Sequence, residues 1–203
     1  MNKYPYHEDD AVSSLINIFN NIFKKSHKTI LVRGKEEPIY LPISKACEFN
    51  QVIFAHGSFA SALHEISHWL IAGRDRRTLV DYGYWYVPDR GSTMQEEFLK
   101  AEVRPQALEM LLTLACGRPF FLSADNVKPG GTEIGPEWSI FKKNVLNQAR
   151  KMALGELPPR TQLLLPDLFQ TFHKKKRAST NHQESWDECV LTQLVRLEQT
   201  LDF

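Results

Sequence analysis

The segment Phe59–Ala72 reads FASALHEISHWLIA, apolar on nearly every side once coiled into a helix, yet it carries His64, Glu65 and His68. A helix apolar most of the way round belongs in a core. Imidazoles taken into that core need partners for their ring nitrogens. On a helix, residues four apart differ by about 40° in direction and lie about 6 Å apart along the axis. His64 and His68 therefore converge on one point, while Glu65 points about 100° away from His64. A metal ion satisfies both rings at once, and His-Glu-x-x-His is the spacing zinc peptidases use for this. A catalytic metal site here needs a third donor from elsewhere in the chain; the alternative is two buried imidazoles satisfied by hydrogen bonds in the core.

A third histidine does not follow. After Trp69 come Leu70, Ile71, Ala72, Gly73 and Arg74, and the next histidine is His173. A second long helix, expected from Ser92 or Thr93 to about Cys116, carries the acidic candidates. Gln95, Leu99, Glu102, Gln106 and Glu109 recur at spacings of four, three, four and three, which is one stripe. Glu102 is its centre, beside the small Ala101 and one turn before Pro105, where a kink or break is expected. Glu97 and Glu109 are the alternatives. Two histidines and one carboxylate suit zinc in a peptidase, with Glu65 as general base, and equally suit a non-haem Fe(II) oxygenase. The ligand set alone does not choose between them.

Around these two helices the pattern predicts a single α+β domain, mainly helical, with a small β-sheet: a metallopeptidase-like HExxH helix packed against a second, acidic helix. Val12, Leu15, Ile16, Phe19, Ile22 and Phe23 recur at helical spacing after Asp9-Asp10, which can cap the start. Strand-like runs at 29–33 and 38–43 are joined by a hairpin-sized GKEE, and a third run, 51–56, stops at Gly57. Ser58 is placed to cap the histidine helix, and Gly73 to end it. The run 80–87, VDYGYWYV, reads as an aromatic strand with Tyr82, Tyr84 and Tyr86 on one face and Trp85 opposite. Helices are expected over 137–154 and 160–172. Residues 1–173 thus form the metal-binding domain. Residues 174–203 are a basic linker, KKKR, followed by an amphipathic helix opened by Ser185-x-x-Glu188, with Val190, Leu191, Leu194, Leu197 and Leu201 on one side, either docked or tethered.

Composition restricts the function classes. Of 203 residues, 42% are apolar and 24% charged, with a formal net charge of +1, so bulk charge indicates no nucleic-acid partner. The runs 74–77 and 174–177 are read as solvated faces. No run reaches the roughly 18 apolar residues that span a bilayer. Three widely spaced cysteines and a polar start point to reduced thiols in the cytoplasm.

Five segments in order, EEPIYLP (36–42), VIFAHG (52–57), ALHEISHW (62–69), VDYGYWYVPD (80–89) and EVRPQALE (102–109), resemble the elongation factor P hydroxylase family. The similarity runs from about Ile16 to Phe172 and is strongest from Val52 to Phe120. The resemblance implies an iron-dependent monooxygenase, with Fe(II) as cofactor and O2 as cosubstrate, acting on the β-lysyl-modified lysine of elongation factor P. It implies a metallopeptidase-like fold. It matches His64 and His68 to the family's metal histidines and Glu102 to its carboxylate ligand. Glu65 then becomes a catalytic candidate near the metal, either supporting the ligands or handling protons. For such a long cationic substrate, Tyr82, Tyr84 and Tyr86 offer aromatic faces and Asp81 a carboxylate. Arg74, Arg76 and Arg77 are candidates for meeting an acidic protein partner, and His56 for supporting the site. Zinc or another divalent ion can take the same donors in isolated protein. The rival readings are a zinc peptidase and a non-catalytic, metal-stabilised adaptor of a translation factor.

Overall fold

The computed structural model describes residues 7–83, 92–123, 136–173, 188–192 and 194. Helix α1 (Glu8–Ser26) buries Ala11, Val12, Leu15, Phe19 and Phe23 on one face. Asp9 and Asp10 lie in its first turn, not at the cap, where carboxylates favour the positive end of the helix. Strands β1 (Thr29–Arg33), β2 (Ile39–Leu41) and β3 (Asn50–Phe54) form one sheet in the order β1-β3-β2.

The hairpin expected between the first two strands does not form. β3 lies between them, parallel to β1 with Thr29 opposite Asn50, and antiparallel to β2 with Ile39 opposite Ile53. Gly34 makes this possible. Its N–H donates to the Phe54 carbonyl at 2.9 Å, and a Cβ there would stand 2.7 Å from Ile53 Cγ2. The chain leaving β1 is thus pressed against β3. Alternate residues Leu31, Tyr40, Val52 and Phe54 are buried, giving the sheet one core face.

His56 and Gly57, both at positive φ, turn the chain from β3 into helix α2 (Phe59–Ile71). Ser58 caps α2 as expected, its side chain accepting from the Ser61 N–H at 3.1 Å. Glu8 of α1 adds a second acceptor, taking the Phe59 N–H at 2.9 Å. Trp69 is fully buried, edge-on to Phe19 at 5.2 Å and Phe23 at 4.8 Å between ring centroids. Aromatic packing thus locks α2 to α1 immediately beside His68.

Helix α3 (Ser92–Ala115) packs along α2, and Pro105 sits inside it without ending it. Helix α4 (Pro136–Lys151) lies on α3, followed by a π-helical turn over Met152–Glu156. Helix α5 (Thr161–Leu168) packs on α1 and α3 and gives way to a second π-helical turn, Phe169–His173. Of the terminal segment, Val190 and Leu194 are buried within the common core, so this part of it is docked. The fold is therefore mainly helical with one three-stranded sheet, and among the described residues no helix is long and apolar enough to cross a membrane.

Candidate metal centre

α2 and α3 face one another through their polar residues. α3 is apolar over Ala107, Leu108 and Met110–Leu112, yet buries Glu102, Gln106 and Glu109 at successive turns of its inner side. The stripe expected there is thus present from Glu102 onward; the side chain of Gln95 lies outside the described residues. Ala101 is exposed and does not set the helix spacing, and Glu97 is exposed too.

His64, His68 and Glu102 come together, with one donor atom from each lying within 4.8 Å of the others. The two Nε2 atoms are 3.1 Å apart. Glu102 reaches His68 Nε2 at 3.4 Å through one oxygen and His64 Nε2 at 3.7 Å through the other. Donors bonded to one ion at about 2.1 Å stand about 3.0 Å apart at a right angle and about 3.4 Å apart at the tetrahedral angle. The observed separations fall around those values, so the three residues fit a metal ion.

Glu109 has a different place. Its Oε2 lies 2.8 Å from His64 Nδ1, the nitrogen turned away from His68. With the ring proton on Nδ1 donated to Glu109, the Nε2 lone pair is free to face the cluster. Carboxylates commonly fix metal-binding imidazoles in this way. Glu109 thus supports His64, whereas Glu102 spans both rings. Glu109 belonged to the sequence stripe, but spacing could not show that the far side of His64 would meet it two turns on.

The electrostatics favour a cation. Burial alone would lower the His64 pKa, but the Glu109 hydrogen bond and the charges of Glu109, Glu102 and Glu65 outweigh it and raise the group to about 10. Burial alone would raise Glu102; hydrogen bonding to His68, the charges of His68 and His64, and a hydrogen bond with Gln106 hold it below the usual carboxylate range. Glu65 is pushed up, chiefly by burial, against the lowering charges of His68 and His64. Its carboxyl has no hydrogen-bond partner among the described residues.

The run read as an aromatic strand is not one where it is described. Val80–Gly83 is a tight turn, with Asp81, Tyr82 and Gly83 all at positive φ. Alternation cannot hold through three such residues. The turn is held by β2: the Tyr40 N–H donates to Asp81 Oδ1 at 2.7 Å, and the Tyr40 ring stacks on Tyr82 at 4.3 Å between centroids. Tyr82 is only 5% exposed and lies parallel to His68 at 6.5 Å. Tyr84, Trp85 and Tyr86 lie outside the described residues. Arg74 and Arg76 are exposed, whereas Arg77 is half-buried and donates to the Ala72 carbonyl, so it belongs to the framework. His56 is exposed at the turn before α2, and the support for His64 comes from Glu109.

A HExxH helix whose two histidines meet a glutamate from a neighbouring helix provides a donor set of the two-histidine-one-carboxylate kind, able to hold a metal ion. Comparison with known proteins narrows this. The profile of the Elongation factor P hydroxylase family matches residues 18–183, and the chain belongs to that family. It is 46% identical over 159 residues to the Elongation factor P lysine hydroxylase of Haemophilus influenzae, covering 77% of this chain and 86% of that protein. The match extends beyond Phe172, where the resemblance read from the sequence stops, and includes the basic run 174–177.

Proposed function

We propose that this protein hydroxylates elongation factor P, at the lysine already extended by a β-lysyl group, in the cytoplasm, with iron held by His64, His68 and Glu102. Membership of the family and the activity carried in the Haemophilus relative's name support the reaction and the protein substrate. The observation that carries the metal-dependent part is the meeting of three donors from two helices within 4.8 Å. When bound, iron supplies the redox chemistry with O2 that placing oxygen on a C–H bond requires. Zinc or another divalent ion can occupy the same donors in isolated protein.

The chain's own residues supply the rest. Glu109 fixes the ring of His64, and Gln106 steadies Glu102. Glu65, half-buried next to His64 with no hydrogen-bond partner of its own among the described residues, is the proton-handling group. Asp81 is assigned to orienting the ammonium of a long cationic side chain. Tyr82, enclosed by Tyr40, backs the ring of His68. Tyr84 and Tyr86, next along the chain, are assigned to the alkyl stem.

The test is the mass of modified elongation factor P after incubation with purified protein, iron, O2 and a reductant. A gain of about 16 Da, one oxygen atom, is expected, and it should vanish with His64→Ala, His68→Ala or Glu102→Ala. Peptide fragments abolished by Glu65→Gln would point instead to a zinc peptidase. Binding of the factor without any change of mass would point to an adaptor.

A further inference from the structure

The two ends of α2 are secured by groups from outside it. Glu8 holds the N-terminal end, as described above. At the other end Arg160, the residue that leads into α5, places one nitrogen, Nη2, 2.7 Å from the Trp69 carbonyl, 2.9 Å from that of Leu70 and 2.8 Å from that of Ala72. The His68 carbonyl is already taken by the Ala72 N–H at 2.9 Å. A helix leaves its last carbonyls without partners, and here one guanidinium from about 90 residues away gathers those of Trp69 and Leu70 and shares with Arg77 that of Ala72, the capping residue. The same guanidinium lies 4.3 Å over the Trp69 ring. Trp69 is thereby gripped through its carbonyl, through the Arg160 face and through Phe19 and Phe23, and it is the residue next to His68.

From this we infer that Arg160 is a positioning residue for the metal centre: it fixes the last turn of α2 and so holds His68 in register with His64 and Glu102. The inference rests on the metal-site reading above. It differs from what charge alone dictates. By charge alone, removing a cationic side chain should tighten cation binding or leave it unchanged, whereas releasing the turn that carries His68 should weaken it. The sign of the effect therefore separates the two. It differs also from a merely structural role, because a loss of the same stability at the opposite end of α2 should leave His68 in place.

The experiment uses the full-length protein stripped with a chelator and titrated with Co2+, followed by its visible absorption and by melting of the metal-free form. Three forms are compared: wild type, Arg160→Met, which keeps the apolar stem but removes every donor, and Ser58→Ala, which removes the cap at the far end of α2. Arg160→Met should bind Co2+ about 10-fold or more weakly, in the range typical of lost outer support to a metal ligand, with a changed absorption band. Ser58→Ala should melt lower yet bind Co2+ as wild type does, with the same band. Wild-type binding that Arg160→Met leaves equal or makes tighter would overturn the assignment while sparing the metal centre. So would weakening in Arg160→Met and Ser58→Ala that simply follows their losses of stability. Failure of the wild type itself to bind Co2+ would overturn both the metal-centre reading and the role of Arg160.

Discussion

His64 has two nitrogens with two tasks, and the distinction decides how its neighbours act. Nε2 faces His68 and Glu102, and Nδ1 faces Glu109 at 2.8 Å. Replacing Glu109 by Leu removes the acceptor and should lower metal affinity about 10–100-fold, while Gln keeps an acceptor and should cost less. Titration of chelator-stripped variants with a divalent ion measures the difference; equal affinities across the three forms would show that Glu109 has no such role. At this scale much of the site was legible. The His-x-x-x-His spacing and the stripe on α3 pick out the three residues that cluster, because helical periodicity is local. What spacing does not carry is which nitrogen meets which oxygen. Glu102 and Glu109 share one face, and only the packing of two helices assigns one to both rings and the other to the back of His64. Arg160 has no local signal at all: its acceptors are main-chain carbonyls some 90 residues away, and any residue type supplies a carbonyl.

At the scale of elements, α2 is held by its neighbours more than by its own propensity. Trp69 is fully buried against Phe19 and Phe23, and truncation to Ala should cost about 3–5 kcal/mol of stability, read from denaturant unfolding. An effect below about 1 kcal/mol would mean that α2 is not locked to α1 through this contact. Gly34→Ala makes a different demand. Its Cβ would meet Ile53 Cγ2 at 2.7 Å and the Phe54 carbonyl oxygen at 2.9 Å, so β1 must move away from β3. A loss of about 1–3 kcal/mol is expected from the same measurement. These elements also show where sequence reasoning stops. The three strands were evident from short apolar runs, but their order was not, since pairing in a sheet is non-local and a hairpin-sized connection is compatible with a third strand entering between its arms. The segment from Val80 misled for a related reason. Aromatic residues favour strands on average, yet Asp81 and Tyr82 are held at positive φ by Tyr40 from β2, a contact 41 residues away in the case of Asp81.

For the whole molecule, a metal held at the proposed site would be coupled to the fold. The donors come from α2 and α3, so an ion that binds only the folded chain ties the two helices together. At a free metal concentration of 100 times the dissociation constant the gain is about 2.7 kcal/mol, equivalent to about 5–10 °C in melting temperature for a chain of this size. Chelation should remove that increment from wild type and leave His68→Ala, already without it, almost unchanged. The central claim is that this site, not merely this fold, adds oxygen to elongation factor P. The most direct measurement is the intact mass of elongation factor P from cells lacking the gene, complemented with wild type or with His68→Ala. The account predicts a species heavier by about 16 Da with wild type and its absence with His68→Ala at equal protein level. The same heavier species with both, or with neither, would contradict it.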